Sequence, residues 1–229
     1  MSKCSLEHLV RLLRDSYGEP EKPAITDPFE LILWENVAYL VDDQKRMRAF
    51  ALLKERVGTD PVAIVSAPES VLLEVAKAGG MFPEQRVSKL RTIAELVLTT
   101  YDGDLAHMLD TSFVQAKKVL RQFPGIGEPG AEKILLFSRK QAVLALDSNG
   151  LRVLLRVGFG EESKRYHATY RAVQAAALDT THASSPQDFD WFIQTHQLLR
   201  HHGQMLCKRT SPMCQVCPLQ TNCQYYQKS

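Results

Sequence analysis

Phe123-Pro124-Gly125-Ile126-Gly127 stands between two stretches of helical pattern, and Asp147 follows twenty residues after the second glycine. Glycine at both positions lets the backbone turn tightly and lets a partner approach without meeting a Cβ. The helix beginning at Glu128 brings unpaired N–H groups and the positive end of its dipole to the same point, which suits a phosphate. A Pro-Gly-x-Gly turn also joins many helix pairs that bind nothing, so its meaning depends on its surroundings.

The chain has 229 residues, 45% hydrophobic and 24% charged, which is enough for one large or two small domains of an ordinary globular protein. No run approaches the roughly 18 apolar residues of a membrane span. Met1-Ser2-Lys3-Cys4 opens without the apolar core of a signal peptide, so an intracellular protein with no membrane partner is expected. A net charge of +2 identifies no partner, but the charge is unevenly spread. From His196 to Ser229 there are Arg200, Lys208, Arg209 and Lys228 and no acidic residue. From Phe113 to Lys140 six Lys and Arg face only Glu128 and Glu132. Two solvated faces would account for this, and so would a split footprint for phosphates.

In chain order, Ser5 to Tyr17 carries apolar residues at helical spacing. Gly18 to Pro23 reads as a linker. Thr26-Asp27-Pro28 is a start signal, a capping side chain followed by proline in the first turn. The helix predicted from Pro28 to about Val41 is apolar on nearly every side and should be buried. Glu35 is its anomaly. On the helical wheel its neighbours are Leu31, Ile32, Ala38 and Tyr39, surroundings that raise a carboxyl pKa and suit a general acid. The bland alternative is a carboxylate opening onto a groove. Further helices are expected at 44–56, 68–78, 83–101, 112–122, 128–138, 148–157, 163–178 and 186–202. Val143 to Leu146 reads as a buried connector, since four residues without a partner strand make no sheet. The fold class expected is all-α.

Four of the five cysteines fall in the last 23 residues, Cys207, Cys214, Cys217 and Cys223, spaced C-x6-C-x2-C-x5-C; Cys4 is solitary. Clustered cysteines in an intracellular chain point to a metal site rather than disulfides. Zinc sites favour two close pairs on a longer arm, whereas this even spread also suits a cubane iron–sulfur cluster. Spacing alone leaves both open.

The glycine hairpin, Asp147, and His202-Gly203-x-x-x-Cys207 opening the cysteine spacing together resemble the helix-hairpin-helix DNA glycosylases of the endonuclease III superfamily. The resemblance runs from about Asp27 to Cys223. Asp27-Pro28-Phe29-Glu30-Leu31 resembles the opening of that family's central helix. Ala145-Leu146-Asp147-Ser148-Asn149, with Arg152-Val153, is similar to its segment bearing the catalytic aspartate.

The resemblance implies a two-domain endonuclease III-like fold. A six-helix barrel with the hairpin would span residues 28–140. A discontinuous helical domain would combine 1–27 with 141–229 and hold a [4Fe-4S] cluster on the loop at 207–223, with Cys207, Cys214, Cys217 and Cys223 as ligands. The implied partner is double-stranded DNA carrying a damaged or mismatched base, lying across the cleft with that base flipped out, and a monomer suffices. Gly125, Ile126 and Gly127 would hold a backbone phosphate, and Lys208 and Arg209 would touch the duplex elsewhere.

The chain departs from that family's pattern at one informative position. Bifunctional members carry a lysine two residues after the last hairpin glycine, whose amine attacks the sugar. Here that residue is Pro129, preceded by Glu128. Lys133, one turn on, starts about 6 Å further along the axis. Glu35 falls where the adenine- and thymine-mismatch enzymes have a glutamate, while Tyr39 and Leu40 replace their gap-filling glutamines and would fill the gap by stacking. The expected function is therefore a monofunctional glycosylase with Asp147 and Glu35 as catalytic residues. The alternatives are a DNA-binding protein that has lost its chemistry, and a lyase using Lys133.

Overall fold

The computed structural model describes residues 4–181 and 188–228. Thirteen α-helices lie among them: α1 Leu6–Tyr17, α2 Pro28–Asn36, α3 Asp43–Arg56, α4 Pro61–Ser66, α5 Glu69–Ala78, α6 Pro83–Thr100, α7 Leu105–Met108, α8 Phe113–Leu120, α9 Glu128–Phe137, α10 Ser148–Val157, α11 Tyr166–Leu178, α12 Phe189–Met205 and α13 Gln224–Gln227. Among the described residues the only extended pairing is an isolated bridge between Tyr39 and Gly80. The fold is all-α, as expected. No described helix is long and apolar enough to cross a membrane. Internal contacts divide the chain into two compact units, residues 23–141 and the pair 1–22 with 142–229.

In the unit of residues 23–141, α2 is the helix around which α3, α6, α7 and α9 gather. Its start follows the sequence signal: the Asp27 carboxylate accepts from the Glu30 amide at 2.9 Å, with Pro28 in the first turn. Such a cap is worth about 0.5–2 kcal/mol. Ile32 and Leu33 are fully buried among Leu53, Leu90 and Ile93. Each such side chain contributes roughly 1.5–3 kcal/mol.

The predicted helix ran to Val41, but α2 stops at Asn36. The Tyr39 amide donates to the Gly79 carbonyl at 3.0 Å, and Leu40 takes the left-handed conformation, φ 52°. A contact from the α5–α6 loop thus outcompetes helix propensity. Two short helices that the sequence reading does not include, α4 and α7, lie between the predicted ones; Asp60 and Asp104 cap them. The predicted start at Pro186 lies outside the described residues, and α12 runs three residues past His202.

In the other unit, α10 buries Leu151, Val153, Leu154 and Val157. It packs on α12, which also packs on α1. The segment Leu144 to Leu146 is a buried connector, as expected. The close crossing of α10 and α12 requires Gly203. A Cβ there would lie 2.7 Å from the Asn149 Cβ and 2.9 Å from its carbonyl oxygen. Gly203→Ala is expected to cost about 1–3 kcal/mol in denaturant unfolding through overpacking; a parent-like midpoint would refute the close approach.

Candidate functional site

The hairpin joins α8 to α9 through a turn in which the Ile126 amide donates to the Phe123 carbonyl at 3.2 Å. Phe123 and Ile126 are buried, so the Ile126 side chain anchors the turn in the core. Gly125 and Gly127 are exposed, and their amides have no protein acceptor among the described residues. Gly125 has φ +76°, and a Cβ on it would meet the Asn36 side-chain oxygen at 2.7 Å. Only glycine fits there without strain. Gly127 starts α9 with no side-chain cap, leaving first-turn amides open, and Pro129 sits in that turn.

Behind the turn, Lys117 of α8 donates to Glu128 at 2.9 Å and to Glu132 at 2.8 Å; both carboxylates are almost fully buried. Glu128 therefore points its charge inward, toward Lys117. Burial works against the ammonium, but the hydrogen bonds and charges of Glu132 and Glu128 outweigh it and hold the Lys117 pKa above its ordinary value.

Glu35, in the last turn of α2, makes an ion pair with Lys133 of α9; both side chains are 22% exposed. The wheel surrounded Glu35 with apolar residues of its own helix and left out this ammonium from another. Close by in the chain, Tyr39 and Leu40 are exposed, and Tyr39 lies with its ring centroid 6.4 Å from that of Phe82. Met81 and Phe82 are also half-exposed, so four large apolar side chains stand out on two neighbouring loops. Buried Arg86 holds the second loop by donating to the carbonyls of Met81, Ala76 (2.7 Å) and Gly80 (2.6 Å). Sequence reasoning missed Met81 and Phe82. The signal was a pair of large apolar residues between Gly79-Gly80 and Pro83, where a loop has no core to fill.

In the other unit, Asp147 caps α10. Its Oδ1 accepts from the amides of Asn149 (3.0 Å) and Gly150 (2.7 Å), and its Oδ2 accepts from Asn149 Nδ2 at 3.0 Å. Arg200 Nε lies 3.5 Å from Oδ2. Arg152 then donates to Asn149 Oδ1 (2.8 Å), to the Gly203 carbonyl (2.8 Å) and to the Cys207 carbonyl (2.9 Å). A continuous chain of bonds thus runs from Asp147 to the cysteine loop. Tyr166 is half-exposed, and burial, together with the Asp147 charge, pushes its phenol pKa up.

Cys207, Cys214, Cys217 and Cys223 line one apolar pocket. Among the described residues no group of three or more His, Cys, Asp or Glu side chains is placed to hold a metal ion, although all four cysteines border this pocket. Burial raises the Cys223 pKa and pushes Cys217 up to about 11. Arg156 donates to Cys207 Sγ at 3.4 Å and to the Lys208 and Arg209 carbonyls at 2.7 and 3.1 Å, leaving both basic side chains exposed. His202 is fully buried beside the pocket, and burial, with His201 nearby, lowers its pKa to about 4.

Lys117→Met would leave two buried carboxylates without their shared cation, at a cost of about 3–5 kcal/mol in unfolding free energy. Because the folded Lys117 pKa is raised, the pair's contribution is complete at neutral pH and is lost only as pH rises past about 10.5. Unfolding titrations of parent and variant at pH 7 and pH 11 check both; equal stability at pH 7 would contradict the assignment.

No family model matches the chain. Among curated proteins it is similar to endonuclease III of Sulfolobus acidocaldarius, 24% identical over 227 residues covering 95% of each chain. It is also similar to the thymine-DNA glycosylase of Aeropyrum pernix, 25% identical over 215 residues covering 92% of this chain and 89% of that one. Among solved structures, an endonuclease III trapped as a covalent intermediate with DNA superposes with a TM-score of 0.74 at 19% identity, covering 98% of both chains. A thermostable thymine-DNA glycosylase gives 0.75 at 17% identity, covering 98% of this chain and 97% of that one.

Proposed function

From a chain that is a helix-hairpin-helix protein of the endonuclease III superfamily, we propose a DNA glycosylase that removes a damaged or mismatched base by hydrolysis and leaves the strand intact. The observation that carries the reading is a carboxylate fixed at Asp147 combined with Pro129 at the hairpin position where an attacking lysine would stand. Double-stranded DNA is the partner. The open amides of Gly125 and Gly127 suit a backbone phosphate, and Lys208 and Arg209 suit a second contact.

Hydrolysis breaks the bond from C1′ to the base nitrogen, and the electron pair leaves with the base. The charge left on the sugar is stabilised by Asp147, whose orientation costs nothing at that moment because Asn149, Gly150 and Arg200 already hold it. Water oxygen then bonds to C1′ and gives up a proton, and the departing base nitrogen takes one up, so that the products are the C1′ alcohol and the neutral base. Glu35, ionised in its pair with Lys133, accepts a hydrogen bond from that water, and the Lys133 ammonium beside it supplies the proton donor for the base. Tyr39, Leu40, Met81 and Phe82 form an apolar wedge suited to the gap left by a flipped base.

Four thiols around one pocket, backed by Arg152 and Arg156 as charge-compensating donors, suit a [4Fe-4S] cluster, in which each iron takes one thiolate. When bound, such a cluster would supply a structural brace and a one-electron centre. Cys207, Cys214, Cys217 and Cys223 would hold it.

A second reading has one observation in its favour. Lys133 lies one turn past Pro129 in α9 and carries an amine beside the Glu35 carboxylate, which would have to take up its proton before the nitrogen could attack. Duplexes carrying uracil or thymine opposite guanine, deaminated purines and alkylated purines separate the readings. The proposal expects strand breaks only after hot alkali. Breaks without alkali that vanish in Lys133→Ala would favour the lyase, and clear binding without base release would leave a DNA-binding protein. Asp147→Asn is expected to lower single-turnover rate by about 10²–10³-fold with binding retained; a parent-like rate would refute its role. Leu40→Ala with Phe82→Ala is expected to weaken lesion binding about tenfold or more, by the loss of stacking, without changing unfolding; unchanged affinity would remove the wedge from the account.

A further inference from the structure

The imidazole of His202 is held at both nitrogens. The Tyr17 hydroxyl lies 2.8 Å from Nδ1, and Cys217 Sγ lies 3.5 Å from Nε2. Tyr17 ends α1 and His202 lies near the end of α12, 185 residues later, so this contact joins the first helix of the chain to its cysteine loop. The Tyr17 ring also packs edge-on against His201, with centroids 4.8 Å apart.

A neutral imidazole carries one N–H, and its place follows from the partners. If Cys217 bears a thiol proton, S–H can donate to Nε2 while Nδ1–H donates to the Tyr17 oxygen. If Cys217 is a thiolate bound to iron it has no proton to give. The favourable arrangement is then Tyr17 O–H donating to Nδ1 and Nε2–H donating to sulfur. We infer that Tyr17 and His202 form a donor relay to Cys217 that tunes the proposed iron–sulfur cluster, with His202 donating to the ligand sulfur and Tyr17 fixing the tautomer in which it can. The inference rests on the four-cysteine cluster reading.

A hydrogen bond to a ligand sulfur stabilises the more reduced, more negative cluster and so raises its reduction potential. A ring that merely fills space in the core would not move that potential. His202→Gln keeps an N–H near the Nε2 position, His202→Leu removes it, and Tyr17→Phe deletes one hydroxyl while keeping the ring.

The test is film voltammetry of the intact purified protein with iron quantified beforehand. His202→Leu is expected to lower the midpoint by about 59 mV, a tenfold change in the reduced-to-oxidised ratio of a one-electron couple. Tyr17→Phe is expected to shift it less, in the same direction, and His202→Gln to restore it toward the parent. Resonance Raman should show the iron–thiolate stretches moving with the potential. If His202→Leu does not fold, Tyr17→Phe decides. Parent-like potentials and stretches in iron-loaded variants overturn the inference while leaving the cluster reading standing. A colourless parent with stoichiometric zinc overturns the cluster reading itself.

Discussion

The carboxylate of Asp147 is where fold and proposed chemistry share one set of bonds. Its Oδ1 caps α10, satisfying amides that would otherwise be orphaned in a partly buried place, and its Oδ2 is held by Asn149 and approached by Arg200. The cap is local, but it leans on long-range contacts. Asn149 is bonded by Arg152, Arg152 by the carbonyls of Gly203 and Cys207, and the crossing that brings these together depends on Gly203 having no side chain. A carboxylate fixed in this way needs no reorientation for the proposed role of meeting charge that develops on a sugar.

The hairpin is built on the same economy in the other unit. Its turn is anchored by buried Phe123 and Ile126, and its two helices are tied by Lys117 between Glu128 and Glu132. An acidic residue next to a proposed phosphate site would ordinarily weaken it by charge repulsion. Here the Glu128 side chain is 4% exposed and spends its charge on Lys117, so the glycine amides are presented without an exposed carboxylate from that residue.

Much of this was legible in the residues because its causes are local. Asp27-Pro28 starts α2, Asp147 caps α10, and the cysteine spacing closes around one pocket. What escaped depends on partners distant in the chain. α2 ends at Asn36 because Tyr39 finds the Gly79 carbonyl, a pairing across forty residues. Glu35 meets Lys133 from 98 residues away, so a wheel drawn on one helix could not include it. Sequence reasoning passes over Met81 and Phe82 between Gly79-Gly80 and Pro83, and their exposure marks them as a surface feature. Of the two arginines that grip the cysteine loop from α10, Arg152 reads in sequence only as part of the Asp147 segment and Arg156 carries no sequence signal.

Proline at 129 and an ion-paired Lys133 divide the remaining possibilities by the fate of one bond. Hydrolysis needs water at C1′, whereas a lyase needs an amine there. Borohydride added during turnover captures the amine route as a covalent protein–DNA adduct and leaves the hydrolytic route untouched. The account predicts free base released with no adduct formed. An adduct that maps to Lys133, or to any other amine of the chain, would contradict it.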